Sequence, residues 1–140
     1  MFHHVLIGYD GSAHGKKALE YGIDFAMHAG AELTIVTVFP KAPEYLVSPQ
    51  REEVAAQMKA EARRMADMAA EQARACNIDT VDVQVLEGSP AESILSVANA
   101  RRCDCIVVGS RGKDGMAGLL LGSVSDRLAQ YARLPVLIVK

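Results

Sequence analysis

The stretch "HVLIGYDGS", residues 4–12, decides the fold class of this 140-residue chain. It is a short, nearly continuous apolar run that ends in turn residues, which is typical of a parallel strand covered on both faces. Ser12 is a candidate N-cap, and apolar residues at helical spacing follow it as far as Gly30, a signal for the end of a helix. The chain therefore begins as a buried strand, a polar turn and an amphipathic helix.

Strands and helices continue to alternate after this unit. The patterns predict strands at Glu32–Phe39, Thr80–Gly88, Asp104–Gly109 and Leu134–Val139, and helices roughly at Arg51–Ala75, Ser89–Ala100 and Ser123–Ala132. The alternating third strand is expected at an edge of the sheet or in a half-covered position, and "SPAE" (Ser89–Glu92) is expected to form a capping box. Right-handed crossovers then predict an α/β fold, a parallel sheet with helices on both faces, in a single domain of residues 1–140.

Composition excludes several classes of partner. Fifteen basic and seventeen acidic residues give a net charge of −2, which does not favour nucleic acid or an anionic membrane. The longest apolar run is far below the roughly 20 residues that cross a bilayer, and the first residues lack the pattern of a signal peptide. Three cysteines, Cys76, Cys103 and Cys105, fit a reducing compartment, so a cytoplasmic location is expected, with the last two as core thiols.

A ligand site is expected where the strand order reverses, outside the carboxyl ends of the strands. If the first and fourth strands are central neighbours, the facing loops are "YDGS" (Tyr9–Ser12, with Gly11) and the glycine stretch "VVGSRGKDGMAGLLLGSVS" (Val107–Ser125). The end of the second strand adds Val38, Phe39 and Pro40 at the rim. These segments predict one cleft.

The chemistry of this cleft suits a nucleotide. Glycines allow the backbone to approach a ligand, and inward amides can form a nest for an anion. Gly122–Val124 starts a helix whose N-terminus favours phosphate, while Arg111 and Lys113 add positive charge. Ionised Asp10 suits ribose hydroxyls or a metal ion. The residues thus predict a base at Val38, a sugar at Asp10 and phosphates at the glycine stretch.

Structural roles compete with this interpretation. Gly109 can simply end a strand, Ser123 can simply cap a helix, and Gly115 and Gly118 can simply mark a mobile loop. If a nucleotide binds, Gly115 and Gly118 are instead expected to act as hinges in a flap that orders with it. His14 is expected to face solvent. The chain lacks both G-x-x-x-x-G-K-[ST] and a G-x-G-x-x-G after the first strand, which disfavours P-loop NTPases and standard NAD enzymes.

The predicted second helix contains three methionines at its centre. Met58, Met65 and Met68 are expected to pack on the sheet, and the alternative is an adaptable binding surface.

The chain resembles the universal stress protein family over nearly its whole length. The opening "VLIGYDGSAHGKKAL" (Val5–Leu19), the middle "GSPAESIL" (Gly88–Leu95) and the ending "ARLPVLIVK" (Ala132–Lys140) carry the resemblance. The signature G-x₂-G-x₉-G-[ST] is intact at Gly109, Gly112, Gly122 and Ser123.

The resemblance implies a Rossmann-like α/β sandwich with a five-stranded parallel sheet of order 3-2-1-4-5. It also implies the ATP-binding branch, in which Asp10 meets the ribose and Val38 the adenine. Gly109, Arg111, Gly112, Gly122, Ser123 and Val124 would surround the sugar and phosphates. Arg111 departs from the histidine that the family often has. Members typically form dimers through the last strand, here Pro135–Val139, an apolar edge that a partner strand can cover.

Three functions remain open from the sequence. One is a nucleotide-binding regulatory or stress-response protein with little or no turnover, because the chain offers a cradle for ATP, ADP or AMP but no complete catalytic set. A second is a slow ATPase or nucleotide hydrolase that uses Asp10, Mg²⁺ and the glycine stretch. A third is an interaction protein that binds no nucleotide and whose glycines are structural.

Overall fold

A computed structural model describes residues 1–111 and 121–140. The elements are β1 (His4–Gly8), α1 (Ala13–Ala29), β2 (Glu32–Phe39), α2 (Gln50–Ala75), β3 (Val81–Glu87), α3 (Pro90–Ala100), β4 (Cys105–Gly109), α4 (Ser123–Tyr131) and β5 (Val136–Val139). Every predicted strand and helix is present, with ends within two residues of the predicted limits. No helix in the described part of the chain is long and apolar enough to cross a bilayer.

The five strands form one parallel sheet of order β3-β2-β1-β4-β5. The predicted order is confirmed, as is the edge position of β3. β1 and β4 lie side by side near the centre, which explains their almost unbroken apolar sequences.

Hydrophobic cores lie on both faces of the sheet. Val5 and Ile7 point towards α1 and α2, whereas Leu6 between them points towards α3 and α4. All three side chains are fully buried. Because each such burial stabilises the fold by about 1.5–3 kcal/mol, the alternation along β1 holds both helical layers.

Small residues bring α2 onto the sheet. Its buried residues are all alanines, namely Ala62, Ala66, Ala69, Ala70 and Ala73. Met68 is 64% exposed, while Met58 and Met65 are partly buried in the middle of the helix. The expectation that all three methionines pack on the sheet is therefore wrong, because the alanines occupy the face of α2 that meets β2 and β3.

The predicted caps are confirmed for α1 and only in part for α3. The Ser12 hydroxyl accepts a hydrogen bond from the amide of Gly15 at 3.0 Å, and α1 ends at Gly30 in the left-handed conformation. Ser89 is the N-cap of α3, but its hydroxyl donates to the Glu92 carboxylate and makes no bond to a backbone amide. Glu92 also forms an ion pair with Arg127 of α4 at 2.8 Å.

Cys103 and Cys105 are buried free thiols, as expected. Burial raises the pKa of Cys103 to about 11, with a smaller contribution from Asp104, and raises that of Cys105 as well. Both thiols therefore stay protonated and belong to the core.

Candidate functional site

A cavity of about 550 Å³ lies at the carboxyl ends of β1, β2 and β4. Eight of the ten predicted site residues line it, namely Tyr9, Asp10, Val38, Gly109, Arg111, Gly122, Ser123 and Val124. Phe39 and Pro40 also line it, as expected. Gly11 belongs to the loop after β1, and Gly112 lies outside the described residues. The cavity forms here because the crossovers after β1 and β4 leave the sheet in opposite directions.

The loop after β1 is bonded to β2. The amide of Tyr9 donates to the carbonyl of Val36 at 2.9 Å, and the Thr37 hydroxyl donates to the carbonyl of Tyr9 at 2.9 Å. Burial raises the pKa of the Tyr9 phenol, and the neighbouring Asp10 carboxylate raises it further. Tyr9 is thus a neutral residue at the floor of the cavity.

The Asp10 carboxylate is held over the first turn of α1. Its Oδ1 accepts hydrogen bonds from the amide of Ser12 at 3.0 Å and from the Ser12 hydroxyl at 2.6 Å. A Cβ at Gly15 would lie 2.5 Å from this oxygen, so position 15 requires glycine for the carboxylate to sit there.

The end of β4 lies directly against α1. A Cβ on Gly109 would lie 2.8 Å from the carbonyl carbon and oxygen of His14, which cannot move without displacing the helix. The His14 ring lies with Nδ1 2.8 Å from the Ser110 hydroxyl. The expectation that His14 faces solvent is wrong, because this close approach brings its ring against the end of β4.

Ser110 joins the two ends of the glycine stretch. Its carbonyl accepts hydrogen bonds from the amide of Gly122 at 2.5 Å and from the Ser125 hydroxyl at 2.9 Å. The first turn of α4 therefore begins beside the end of β4, with Ser123 and Val124 on the cavity. The predicted roles of Gly112, Lys113, Gly115 and Gly118 fall outside the described residues.

The backbone amide and carbonyl of Val38 lie at the cavity. In β2, the amide of Glu32 and the carbonyl of Val36 form hydrogen bonds with backbone groups next to the ends of β1. The amide of Leu33 and the carbonyl of Phe39 bond instead to backbone groups next to the ends of β3. This alternation directs the amide and carbonyl of Val38 towards the β1 side, past the end of β1. A donor and an acceptor thus stand side by side at the cavity.

One side of the cavity comes from a helix that the sequence did not assign to the site. Met58, Glu61, Ala62 and Met65 line the cavity from α2, and this surface is called the α2 wall below. Met65 lies against the loop after β1, since a Cβ on Gly11 would be 2.9 Å from its Sδ. The available signal in the sequence was the spacing of 3, 4 and 7 residues from Met58, which places these side chains on one face in the middle of the helix.

The first residues of the β3–α3 connection complete the cavity. Gly88, Pro90 and Ile94 line it from the side of β3. These residues belong to "GSPAESIL", which carried the resemblance but had been given no site role.

Charge is unevenly distributed around the cavity. Asp10 and Glu61 lie on the side of β1 and α2, while Arg111 and the first turn of α4 lie on the side of β4. Among the residues that the structure describes, no group of three or more His, Cys, Asp or Glu side chains could hold a metal ion. The arrangement suits a ligand with an anionic end near α4 and a hydroxyl-rich middle near Asp10.

Comparison with known proteins identifies the family. The family model described as "Universal stress protein family" matches residues 1–140. A universal stress protein of Thermus aquaticus, encoded in the QAH/OAS sulfhydrylase 3′ region, is 36% identical over 140 residues and the match covers 100% of both chains. The universal stress protein UspA from Lactobacillus plantarum has the same fold, with a TM-score of 0.90 at 18% identity, covering 99% of this chain and 98% of that chain. A universal stress protein solved in complex with cAMP superposes with a TM-score of 0.74 at 26% identity, covering 99% and 97%. The chain belongs to the universal stress protein family.

Proposed function

We propose that the cavity binds an adenine nucleotide, ATP foremost, and that residues 1–140 form one regulatory domain with little or no turnover. The observation that carries the proposal is the convergence of eight predicted site residues on a single cavity of about 550 Å³. A cavity of this volume is in the usual range for small-molecule ligands. The cAMP complex of a relative with 26% identity supports an adenine ligand.

The base is assigned to the backbone of Val38. Adenine presents a ring nitrogen acceptor beside an amino donor, which pairs with an adjacent amide and carbonyl. Guanine presents the opposite pattern on the corresponding edge, so the same backbone rejects it. The apolar residues of β2 and of the α2 wall, including Phe39 and Met65, would cover the faces of the ring.

The sugar and phosphates are assigned to the remaining predicted residues. Asp10 would accept from ribose hydroxyls, since its carboxylate is only an acceptor when ionised. Gly109, Arg111 and the amides of Ser123 and Val124 would hold the phosphates at the N-terminus of α4. Gly112 joins this set through the family signature. Mg²⁺ would accompany a triphosphate on its phosphate oxygens.

A dimer in the cytoplasm completes the proposal. β5 lies at the edge of the sheet, and Leu137 on it is 39% exposed. We place a second copy of the chain along this strand, where pairing would cover its apolar side chains. The free thiols of the three cysteines fit a reducing compartment.

Calorimetry with ATP and GTP tests the binding proposal. The wild-type protein should bind ATP and should bind GTP at least about tenfold more weakly. Guanine would leave the amide and carbonyl of Val38 without hydrogen-bond partners, and each unpaired group costs about 1–3 kcal/mol of binding free energy. Gly122→Val should abolish ATP binding, since the new side chain would stand at the N-cap of α4 where the backbone approaches Ser110. Circular dichroism would establish that this variant is folded.

A finer pair of variants controls for indirect effects. Ser123→Ala removes one hydroxyl at the cavity and should weaken ATP binding, whereas Ser96→Ala, on the exposed side of α3, should not. Absence of ATP binding to the wild-type protein would overturn the proposal. Steady release of ADP that disappears in Asp10→Ala would instead support the slow ATPase.

A further inference from the structure

Glu61 is the acidic member of the α2 wall. It is an exposed residue at the rim of the cavity, one helical turn before Met65. Met65 lies against Gly11 in the loop that carries Asp10, and Glu61 and Asp10 line the same cavity. Among the described residues, none forms an ion pair with Glu61 within 4.0 Å.

A carboxylate in this place restricts what can lie beside it. A phosphate group near Glu61 would be repelled, and the electropositive first turn of α4 lies at the opposite side of the cavity. Glu61 can only accept hydrogen bonds when ionised, so its favourable neighbour is a donor. In a nucleotide whose phosphates point to α4 and whose base lies at Val38, the donors that remain are the second hydrogen of the adenine amino group and the ribose hydroxyls. The amino group is at the Val38 end of the ligand, so the hydroxyls near Asp10 are the donors assigned to Glu61.

We propose that Glu61 is a specificity-determining residue that accepts a hydrogen bond from a ribose hydroxyl of the bound nucleotide. It acts from α2 while Asp10 acts from the sheet, so two carboxylates on different elements read the sugar. This inference rests on the proposed adenine-nucleotide site. It assigns a selective role to a helix that otherwise contributes apolar contacts.

The test combines variants of the protein with variants of the ligand. Calorimetry measures the affinity of ATP, 2′-deoxy-ATP and 3′-deoxy-ATP for the wild-type protein, Glu61→Ala and Glu61→Gln. Glu61→Ala removes the acceptor and the charge, whereas Glu61→Gln keeps an acceptor oxygen without the charge. Glu71→Ala is the matched control, because Glu71 is an exposed glutamate of the same helix that does not line the cavity.

The expected result is a coupling between Glu61 and one hydroxyl. ATP should bind Glu61→Ala about tenfold more weakly than it binds the wild-type protein, as expected for loss of a hydrogen bond to a charged group. The deoxy analogue that lacks the contacted hydroxyl should bind the wild-type protein and Glu61→Ala with equal affinity. The affinity of Glu61→Gln for ATP should lie between the affinities of those two proteins. Glu71→Ala should match the wild-type protein with all three ligands.

Two results would overturn the inference while leaving the proposed function intact. In the first, Glu61→Ala and Glu61→Gln bind all three ligands more tightly by the same factor, which shows that Glu61 acts only as a repelling charge. In the second, ATP binds the wild-type protein and every variant equally. If the wild-type protein binds no ATP, the proposed function and this inference both fail.

Discussion

The two walls of the cavity are built in different ways. The sheet-end wall consists of the loop after β1, the end of β4 and the first turn of α4, and backbone contacts hold these described segments together. Gly109 lies against the backbone of His14, and the amide of Gly122 bonds to the carbonyl of Ser110. The α2 wall instead presents side chains from a helix whose backbone bonds are internal. A side chain added at Gly109 in the sheet-end wall must therefore move main chain, whereas a side chain removed from the α2 wall leaves the main chain in place and changes packing, shape and charge at the cavity.

Gly109→Ala should give the largest effect and tests the rigidity of the sheet-end wall. Its Cβ would lie 2.8 Å from the main chain of His14, so α1 or β4 must shift. We expect a loss of about 3 kcal/mol in the free energy of unfolding, the upper part of the usual range for overpacking. Urea denaturation measures it.

Gly22→Ala is the matched control for that prediction. Its Cβ would meet Cδ1 and Cγ1 of buried Ile7 at 2.5 and 2.7 Å, which are side-chain rather than main-chain atoms, and alanine is also the better helix former. The cost should be about 1–2 kcal/mol, below that of Gly109→Ala, because a side chain can rotate without moving the backbone. If Gly109→Ala and Gly22→Ala have the same free energy of unfolding, the main chain of the sheet-end wall shifts at no greater cost than the Ile7 side chain.

Met65→Ala tests the α2 wall and should have an intermediate effect. It removes a partly buried thioether that lines the cavity and lies against Gly11. We expect about 1–2 kcal/mol of destabilisation, below the range for fully buried methionine, and about a fivefold loss of affinity for ATP.

Met68→Ala provides the comparison on the same helix. Met68 is 64% exposed and lies outside the cavity lining, so stability should change by less than about 0.5 kcal/mol and affinity should not change. Equal losses of affinity in both variants would mean that α2 affects the site only through its overall stability.

Tyr9 should give the smallest effect, a pH dependence confined to alkaline solution. Burial, and then Asp10, raise the pKa of the phenol above its usual 10.0. The folded state therefore holds this proton more tightly than the unfolded state, and the resulting stability is complete below pH 10 and is lost as pH rises through the folded-state pKa. Unfolding free energies between pH 9 and 11 should fall more steeply for the wild-type protein than for Tyr9→Phe. If the unfolding free energies of the two proteins fall equally with pH, the Tyr9 phenol is as hydrated in the folded protein as in the unfolded chain.

Most of the fold was predictable because its signals are local. An apolar run that ends in "YDGS" predicts a buried parallel strand, and Ser12 and Gly30 mark the ends of α1 without reference to the rest of the chain. The sheet-end residues of the site follow from the same patterns, since parallel strands all end at one edge. The strand order itself came from the resemblance to the family, because periodicity does not state which strands are neighbours.

The errors concern contacts between elements that are distant in the chain. His14 was expected in solvent, but its environment depends on how closely β4 approaches α1. Glu92 was expected to complete a capping box, but its carboxylate forms an ion pair with Arg127 of α4. The α2 methionines were expected to pack on the sheet, but the buried residues of this helix are alanines.

The sequence by itself determined the alternation of strands and helices, the family and the residues of the sheet-end wall. The spacing of apolar residues, the helix caps and the spacing of glycines are patterns within short segments, so they can be recognised in a single sequence. Only the tertiary structure decided that Met58, Glu61 and Met65 face the cavity. Which face of α2 meets the sheet depends on the packing of its alanines, and that packing involves β2 and β3, which lie many residues away on either side.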